Sequence, residues 1–160
     1  MSDVPSNVKP LTLTTGRVIF AIAGIYVTQS LVSALSMQSL PALVRAAGGS
    51  LALAGATTLF MLPWALKFIW APWVEHWRLP PGSPQRRSRM LILRGQAALA
   101  AILAIAAAIG GTGREGVLPE TIVVALFALF MVAGTVASTI DIASDGFCVD
   151  QLTRAGYGWG

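Results

Sequence analysis

The sequence has 160 residues, of which 55% are hydrophobic and only 11% are charged, and its mean hydropathy is +0.70. A soluble domain has roughly a quarter of its residues charged, so this composition excludes an ordinary soluble globular protein and predicts an integral membrane protein. The net charge of +4 does not indicate nucleic-acid binding, because the Lys and Arg residues lie between apolar runs and form no single basic face.

Four long apolar segments predict four transmembrane helices. A hydrocarbon core about 30 Å thick needs roughly 20 residues of α-helix to cross it. The segments reach that length, and they lack the strict alternation of a membrane-barrel strand. The predicted spans, numbered 1 to 4 from here on, are residues 18–40, 51–74, 90–109 and 120–142. The predicted fold class is therefore an all-α integral membrane protein.

Span 1 carries a stripe of polar side chains on an otherwise apolar helix. Tyr26, Gln29, Ser30 and Ser33 are spaced at i, i+3, i+4 and i+7, which places them on one helical face. Two interpretations are open. The stripe lines an aqueous cavity, or its hydrogen bonds to a partner helix hold the bundle together.

Span 2 contains a proline one turn before a lysine. Pro63 removes a backbone donor, which predicts a bend or a loosened turn in the helix. An unpaired charge at the centre of a bilayer costs at least about 2.5–3.5 kcal/mol. Lys67 is therefore expected either to extend its ammonium toward the headgroups or to pair with an acidic side chain.

The loop that follows span 2, residues 75–89, is rich in arginine. Short loops rich in Lys and Arg stay in the cytoplasm, and the opposite side of the predicted bundle has only Arg45 and Arg114. This imbalance predicts a multi-pass protein of a bacterial inner membrane with a cytoplasmic N-terminus. The residues of the loop alone do not decide between a topology signal and a gate. Its basic residues are Arg78, Arg86, Arg87 and Arg89.

Span 4 carries two aspartates one turn apart, Asp141 and Asp145. Two carboxylates on one helical face repel each other unless a cation compensates them. Spans 2 and 4 are predicted to run in the same direction, so Lys67 should lie at a similar depth. We therefore expect an ion pair of Lys67 with Asp141 or with Asp145.

The polar residues do not predict an enzyme. The acidic residues of span 4 lack the spacing of a calcium-binding loop. A nucleophile, base and orienting acid at one depth are also missing from the predicted spans. Neither a cofactor nor a metal site is expected.

Two strings of residues resemble a known family of transporters. Residues 62–72 read LPWALKFIWAP, and residues 141–146 read DIASDG. Together they are similar to the major facilitator superfamily, in the branch that holds anhydromuropeptide permeases, acetyl-coenzyme A transporters and siderophore permeases of the rhizobactin and pyochelin type. Residues 146–152 and 156–160 most resemble the siderophore permeases. Glu75, Arg86 and Arg87 keep the charges of the superfamily's loop motif, although their spacing differs from it.

The resemblance implies a twelve-helix transporter built from two six-helix halves around a central site. This chain would then supply the first four helices of the N-terminal half and would need the missing C-terminal helices as its partner. The implied activity is a proton-driven symporter for iron uptake, which imports a siderophore such as a ferripyochelin-type complex by alternating access. The substrate or proton pathway implied by the resemblance consists of Tyr26, Gln29, Ser33, Asp141 and Asp145, and the implied inner gate or ion pair consists of Lys67, Glu75, Arg86 and Arg87.

Two alternatives to siderophore import stay open. A permease of the same fold for an anhydromuropeptide or another amphiphile would share the polar residues of spans 1, 2 and 4. A four-helix membrane anchor or assembly protein would use the same spans without transport.

Overall fold

The computed structural model describes residues 15–46, 48–81, 87–111 and 119–154. Within these ranges 92% of the residues are helical and no residue belongs to a strand. The helices long and apolar enough to cross a membrane are Gly16–Ala46, Leu51–Ile69, Ser88–Gly110 and Thr121–Gln151. They overlap the predicted spans 1 to 4 in order. The all-helical fold class with four membrane-length helices is thus confirmed.

Span 1 changes helix type near its C-terminal end. It is α-helical over Thr15–Ala34, π-helical over Leu35–Ser39 and α-helical again over Leu40–Ala46, so it continues beyond the predicted end at residue 40. Pro41 is the second residue after the π-helical turn. A proline inside a helix has no N–H and clashes with the carbonyl group four residues earlier. The wider π-helical turn accommodates such a residue without ending the helix.

Span 2 consists of short helical pieces. Two 3-10 turns, Thr57–Met61 and Lys67–Ile69, separate the α-helices Leu51–Ala56, Leu62–Leu66 and Ala71–Arg78. Pro63 and Pro72 lie in the first turns of the last two helices, where a missing N–H leaves no intrahelical bond unmade. The backbone thus changes helix type next to Pro63, where the sequence predicts a loosened turn. Residues 75–78, predicted as loop, are helical.

Spans 3 and 4 pack against each other along Ser88–Gly110 and Glu120–Arg154. Gly95 permits the close approach, because a Cβ atom added there would lie 2.5 Å from Cγ1 of Ile140. The buried core contains several small or branched apolar residues: Ile25, Val32, Leu99, Ala133, Ala137 and Ile140. Small residues let helices approach closely where packing, and not water, drives their association.

Large apolar side chains cover much of the outside of the bundle. Phe20 is 83% exposed and Phe68 is 68% exposed. A soluble protein rarely exposes such a continuous apolar surface, whereas lipid solvates it. Some polar residues of the spans, such as Ser138 and Ser144, are buried between the helices, whereas others, such as Arg94 and Asp145, are exposed.

Candidate functional site

One carboxylate joins three of the four spans. The Lys67 Nζ atom donates a hydrogen bond to Asp141 Oδ2 over 2.5 Å, and the Gln29 Nε2 atom donates to Asp141 Oδ1 over 3.1 Å. The side chain of Asp141 is 14% exposed and that of Lys67 is 35% exposed. Both oxygens of the carboxylate are therefore satisfied by residues of spans 1 and 2. We call Gln29, Lys67 and Asp141 the membrane cluster.

The broken helix of span 2 positions Lys67. Its 3-10 turn Lys67–Ile69 lies between two α-helical pieces, and the next residue is also fixed to span 4, because Trp70 Nε1 donates to Thr139 Oγ1 over 3.2 Å. Gly134 of span 4 lets the turn of span 2 that contains Pro63 come close, since a Cβ atom added to Gly134 would lie 3.3 Å from Pro63 Cγ. Span 2 is thus held against span 4 on both sides of Lys67.

A polar cavity of about 400 Å³ lies beside the membrane cluster. Its walls carry hydroxyl and amide groups from span 1 together with two large side chains from span 2: Tyr26, Gln29, Ser30, Ser33, Gln38, Met61 and Trp64. The polar stripe of span 1 therefore faces a cavity. Gln29 also bonds to span 4, so at this one residue both interpretations of the stripe hold.

Asp145 differs from Asp141 although the two lie one turn apart. Its side chain is exposed, and within the described part of the chain it makes no hydrogen bond or ion pair. Of the two pairings expected from the sequence, the structure contains the Lys67–Asp141 pair and not the Lys67–Asp145 pair. No cation of the described ranges thus contacts the Asp145 carboxylate.

A second charged cluster lies around Arg78, which is only 2% exposed. Its guanidinium binds both carboxylate oxygens of Glu75, with Nε donating to Oε2 over 2.8 Å and Nη2 donating to Oε1. The Nη1 atom donates to Asp150 Oδ2 over 2.6 Å and to Ser88 Oγ over 3.1 Å. Arg78 therefore ties together the end of the helix Ala71–Arg78, the start of span 3 and the end of span 4. We call these four residues the Arg78 cluster.

Gly146 makes room for this arginine. A Cβ atom added to Gly146 would lie 2.6 Å from Arg78 Cζ and 2.7 Å from its Nε atom. Any side chain at this position would collide with the guanidinium plane. The close contact with Arg78 therefore explains why residue 146 is glycine, and the sequence alone does not reveal this contact.

The residues predicted as one inner gate fall into separate places. Lys67 belongs to the membrane cluster and Glu75 to the Arg78 cluster. Arg87 lies over the ring of Trp77, with its Cζ atom 5.6 Å from the ring centroid. Arg86 lies outside the residues that the structure describes. The three described members of the predicted set, Lys67, Glu75 and Arg87, thus lie at three separate places.

Sequence reasoning missed Arg78, Ser88 and Asp150 as members of a polar site. Arg78 was grouped with the basic residues of the loop, for which a topology signal and a gate both stayed open, although its spacing of three residues from Glu75 is the spacing of an ion pair on a helix. Asp150 lies 72 positions from Arg78, and no local pattern links the two. These clusters belong to a helical membrane protein. The chain matches no protein-family model and no solved structure.

Proposed function

We propose that this chain forms part of a secondary transporter that imports a small polar solute, an iron–siderophore complex, across the bacterial inner membrane by alternating access. The observation that carries the proposal is the membrane cluster beside the polar cavity. Asp141 holds Lys67 and Gln29 there, between helices whose outer surfaces are apolar.

The cost of the charges supports a solute pathway over an anchor. Each charge within a span costs at least about 2.5–3.5 kcal/mol before it is paired. Apolar packing and small residues already hold spans 3 and 4 together, so an anchor has no need of Lys67, Asp141 and Asp145. A polar solute that crosses the bilayer does need hydrogen-bonding groups along its path.

The dimensions of the cavity agree with a binding site that is open on one side. Ligand sites usually have volumes of about 300–1,000 Å³, and the cavity beside span 1 has about 400 Å³. In the proposed architecture, helices of the second half of the transporter complete its walls. The two aspartates differ in their contacts, because Asp141 binds Lys67 and Asp145 does not. In the proposed mechanism, Asp141 orients Lys67, whereas Asp145 is the carboxylate that exchanges a proton.

The cargo and the remaining helices are proposed from the resemblance of residues 62–72 and 141–146 to the major facilitator superfamily. The siderophore is the solute that residues 146–152 favour. Lys67, Glu75 and Arg87 then control access from the cytoplasmic side, with Arg86 as a further basic residue of the loop.

Uptake of a labelled ferripyochelin-type complex by cells that carry the intact gene tests the proposal. Asp141→Asn and Lys67→Met should each lower the initial rate at least about tenfold, because either change leaves an unpaired charge in the span. Ser33→Leu should do the same by filling the cavity. Thr28→Val is the matched control on span 1, because Thr28 bonds only to the carbonyl of Gly24 and does not line the cavity.

The results distinguish the classes of function. Uptake of the siderophore that is equal in the wild type and a deletion strain would reject this cargo, and a parallel assay with an anhydromuropeptide would test the alternative permease. Absence of uptake for every solute, with normal insertion of the protein, would favour an anchor. If Thr28→Val lowered the uptake rate as much as Ser33→Leu, the loss could not be attributed to filling of the cavity.

A further inference from the structure

Span 3 presents arginines on a face that points away from the other spans. Arg87 directly precedes the helix and lies seven positions, close to two helical turns, before Arg94, and both side chains are exposed. Ala98 and Ala101 continue this exposed stripe. The face toward span 4 is a different one, marked by Gly95 and by the fully buried Leu99. The arginine stripe therefore faces the surroundings of the bundle.

Arg94 lies inside the membrane-length helix. It follows Ser88, the first residue of span 3, by about 9 Å along the helix axis at 1.5 Å per residue. Within the described part of the chain its side chain makes no hydrogen bond or ion pair. A guanidinium on a lipid-facing surface requires a polar partner at the headgroup level, which its apolar stem allows it to reach. Side chains on a helix lean toward its N-terminus, which here means toward Arg87.

Trp77 fixes the second guanidinium at that level. Arg87 Cζ lies 5.6 Å from the centroid of the Trp77 ring, within the range of a cation–π contact. Trp77 is 39% exposed, and indole rings favour the boundary between headgroups and hydrocarbon. The contact therefore holds Arg87 beside a ring that favours the headgroup boundary, which is the level that the Arg94 side chain must reach.

Of the two other described arginines of this loop, Arg89 is exposed and Arg78 is already neutralised. Arg78 is buried and paired with Glu75 and Asp150. The exposed positive charge that is left for an external partner is thus concentrated around the start of span 3, at Arg87, Arg89 and Arg94. Guanidinium groups bind phosphate oxygens through two parallel hydrogen bonds, and a fixed planar fork makes this recognition specific.

We propose that Arg87, Arg94 and Trp77 bind the headgroup of an anionic phospholipid from the surrounding leaflet. The phosphodiester lies between the two guanidinium groups, and an acyl chain follows the small side chains of Ala98 and Ala101 along span 3. The site is independent of the transport cavity, because it lies on the outward face of span 3 and the cavity is lined by spans 1 and 2.

Native mass spectrometry of the full chain in detergent tests the site. The protein is incubated with equal amounts of phosphatidylglycerol and phosphatidylcholine that have the same acyl chains, and the bound lipids are counted. Wild type should retain phosphatidylglycerol preferentially. Each arginine near the surface contributes about fivefold to binding of an anionic lipid, so Arg94→Gln should lower the preference about fivefold, and Arg87→Gln/Arg94→Gln should abolish it.

Arg17→Gln is the matched control. Arg17 is an exposed arginine near the start of span 1 and is expected at the same side of the membrane, so it reports on general charge attraction. The variant should keep the preference for phosphatidylglycerol. Circular dichroism confirms equal helicity of all variants, and Trp77→Phe should weaken the preference without a change in charge.

Three results would overturn the proposal. Wild type could bind both lipids equally, the double variant could keep the preference, or Arg17→Gln could lose as much of it as Arg94→Gln. Displacement of the bound lipid by excess inorganic phosphate would also count against a phospholipid, because a free anion has no acyl chain to follow span 3.

Discussion

The Lys67–Asp141 pair should behave as one energetic unit in the stability of the bundle. Among the residues that the structure describes, Lys67→Met leaves the Asp141 carboxylate with Gln29 as its one donor, and Asp141→Asn removes the anion that pairs with the Lys67 ammonium. Breaking a buried ion pair by removing one partner costs about 3–5 kcal/mol. The Lys67 side chain is 35% exposed, which places the expected cost of each single change at the lower end, at about 3 kcal/mol.

The double variant removes both charges together and should therefore cost much less than the sum of the single changes. Two independent losses would add to about 6 kcal/mol, whereas contacting residues show coupling energies of up to about 3 kcal/mol. We expect the Lys67→Met/Asp141→Asn protein to lose about 3 kcal/mol. In the double variant, the asparagine at position 141 can still accept the hydrogen bond from Gln29.

The free energy of unfolding can be measured by titration with sodium dodecyl sulfate in mixed micelles, with helicity followed by circular dichroism. Arg89→Gln serves as the control for loss of an exposed cation, and it should change stability by less than about 0.5 kcal/mol. Additivity of the two single changes within about 0.5 kcal/mol would refute the pairing as an energetic unit, whatever its geometry.

Three further predictions concern the Arg78 cluster, the packing of spans 3 and 4, and the hydrogen bond between Trp70 and Thr139. Arg78→Ala should cost about 3–5 kcal/mol, since it removes the cation of a buried ion pair with Asp150, whose side chain is only 11% exposed. Arg78→Lys should restore little of this because lysine lacks the planar fork. Thermal unfolding in detergent measures both, and a full rescue by lysine would contradict the role of the bidentate contact with Glu75. Gly95→Ala should cost about 1–3 kcal/mol of stability by overpacking against Ile140. The control is Gly24→Ala, where an added Cβ atom meets nothing within 4 Å, and it should be neutral or stabilising by up to about 1 kcal/mol. Equal effects of the two changes in the same assay would argue against tight packing of spans 3 and 4. Trp70→Phe should cost about 1 kcal/mol through the lost hydrogen bond to Thr139, and no loss in the same melt would show that this bond adds nothing to stability.

The number and position of the spans could be predicted because they depend on local properties. When lipid surrounds a sufficiently long run of apolar residues, the backbone N–H and C=O groups must hydrogen-bond to each other, which a helix achieves within one segment. The Lys67–Asp141 contact could also be anticipated, because both residues are costly alone and lie on spans predicted to run in the same direction. Both inferences use energies large enough to outweigh most details of packing.

The remaining features depend on which helices meet and in which register. Asp150 and Ser88 contact Arg78 only because the ends of spans 3 and 4 lie beside the helix Ala71–Arg78, and neither residue has a local signature of that contact. Likewise, the choice of Asp141 over Asp145 is a matter of one helical turn. The continuation of span 1 past Pro41 was missed because a proline ordinarily ends or kinks a helix, whereas a π-helical turn accommodates it here.

The differing construction of spans 2 and 4 has a mechanical consequence. Glu120–Arg154 is an uninterrupted helix of 35 residues, in which every bend must distort a continuous ladder of hydrogen bonds. Leu51–Ile69 is instead assembled from short pieces joined by 3-10 turns, whose poorer bonds yield first. A force that bends the bundle is therefore absorbed in span 2, while span 4 acts as a stiff rod, and deuterium should enter the amides of residues 57–61 and 67–69 well before those in the middle of span 4.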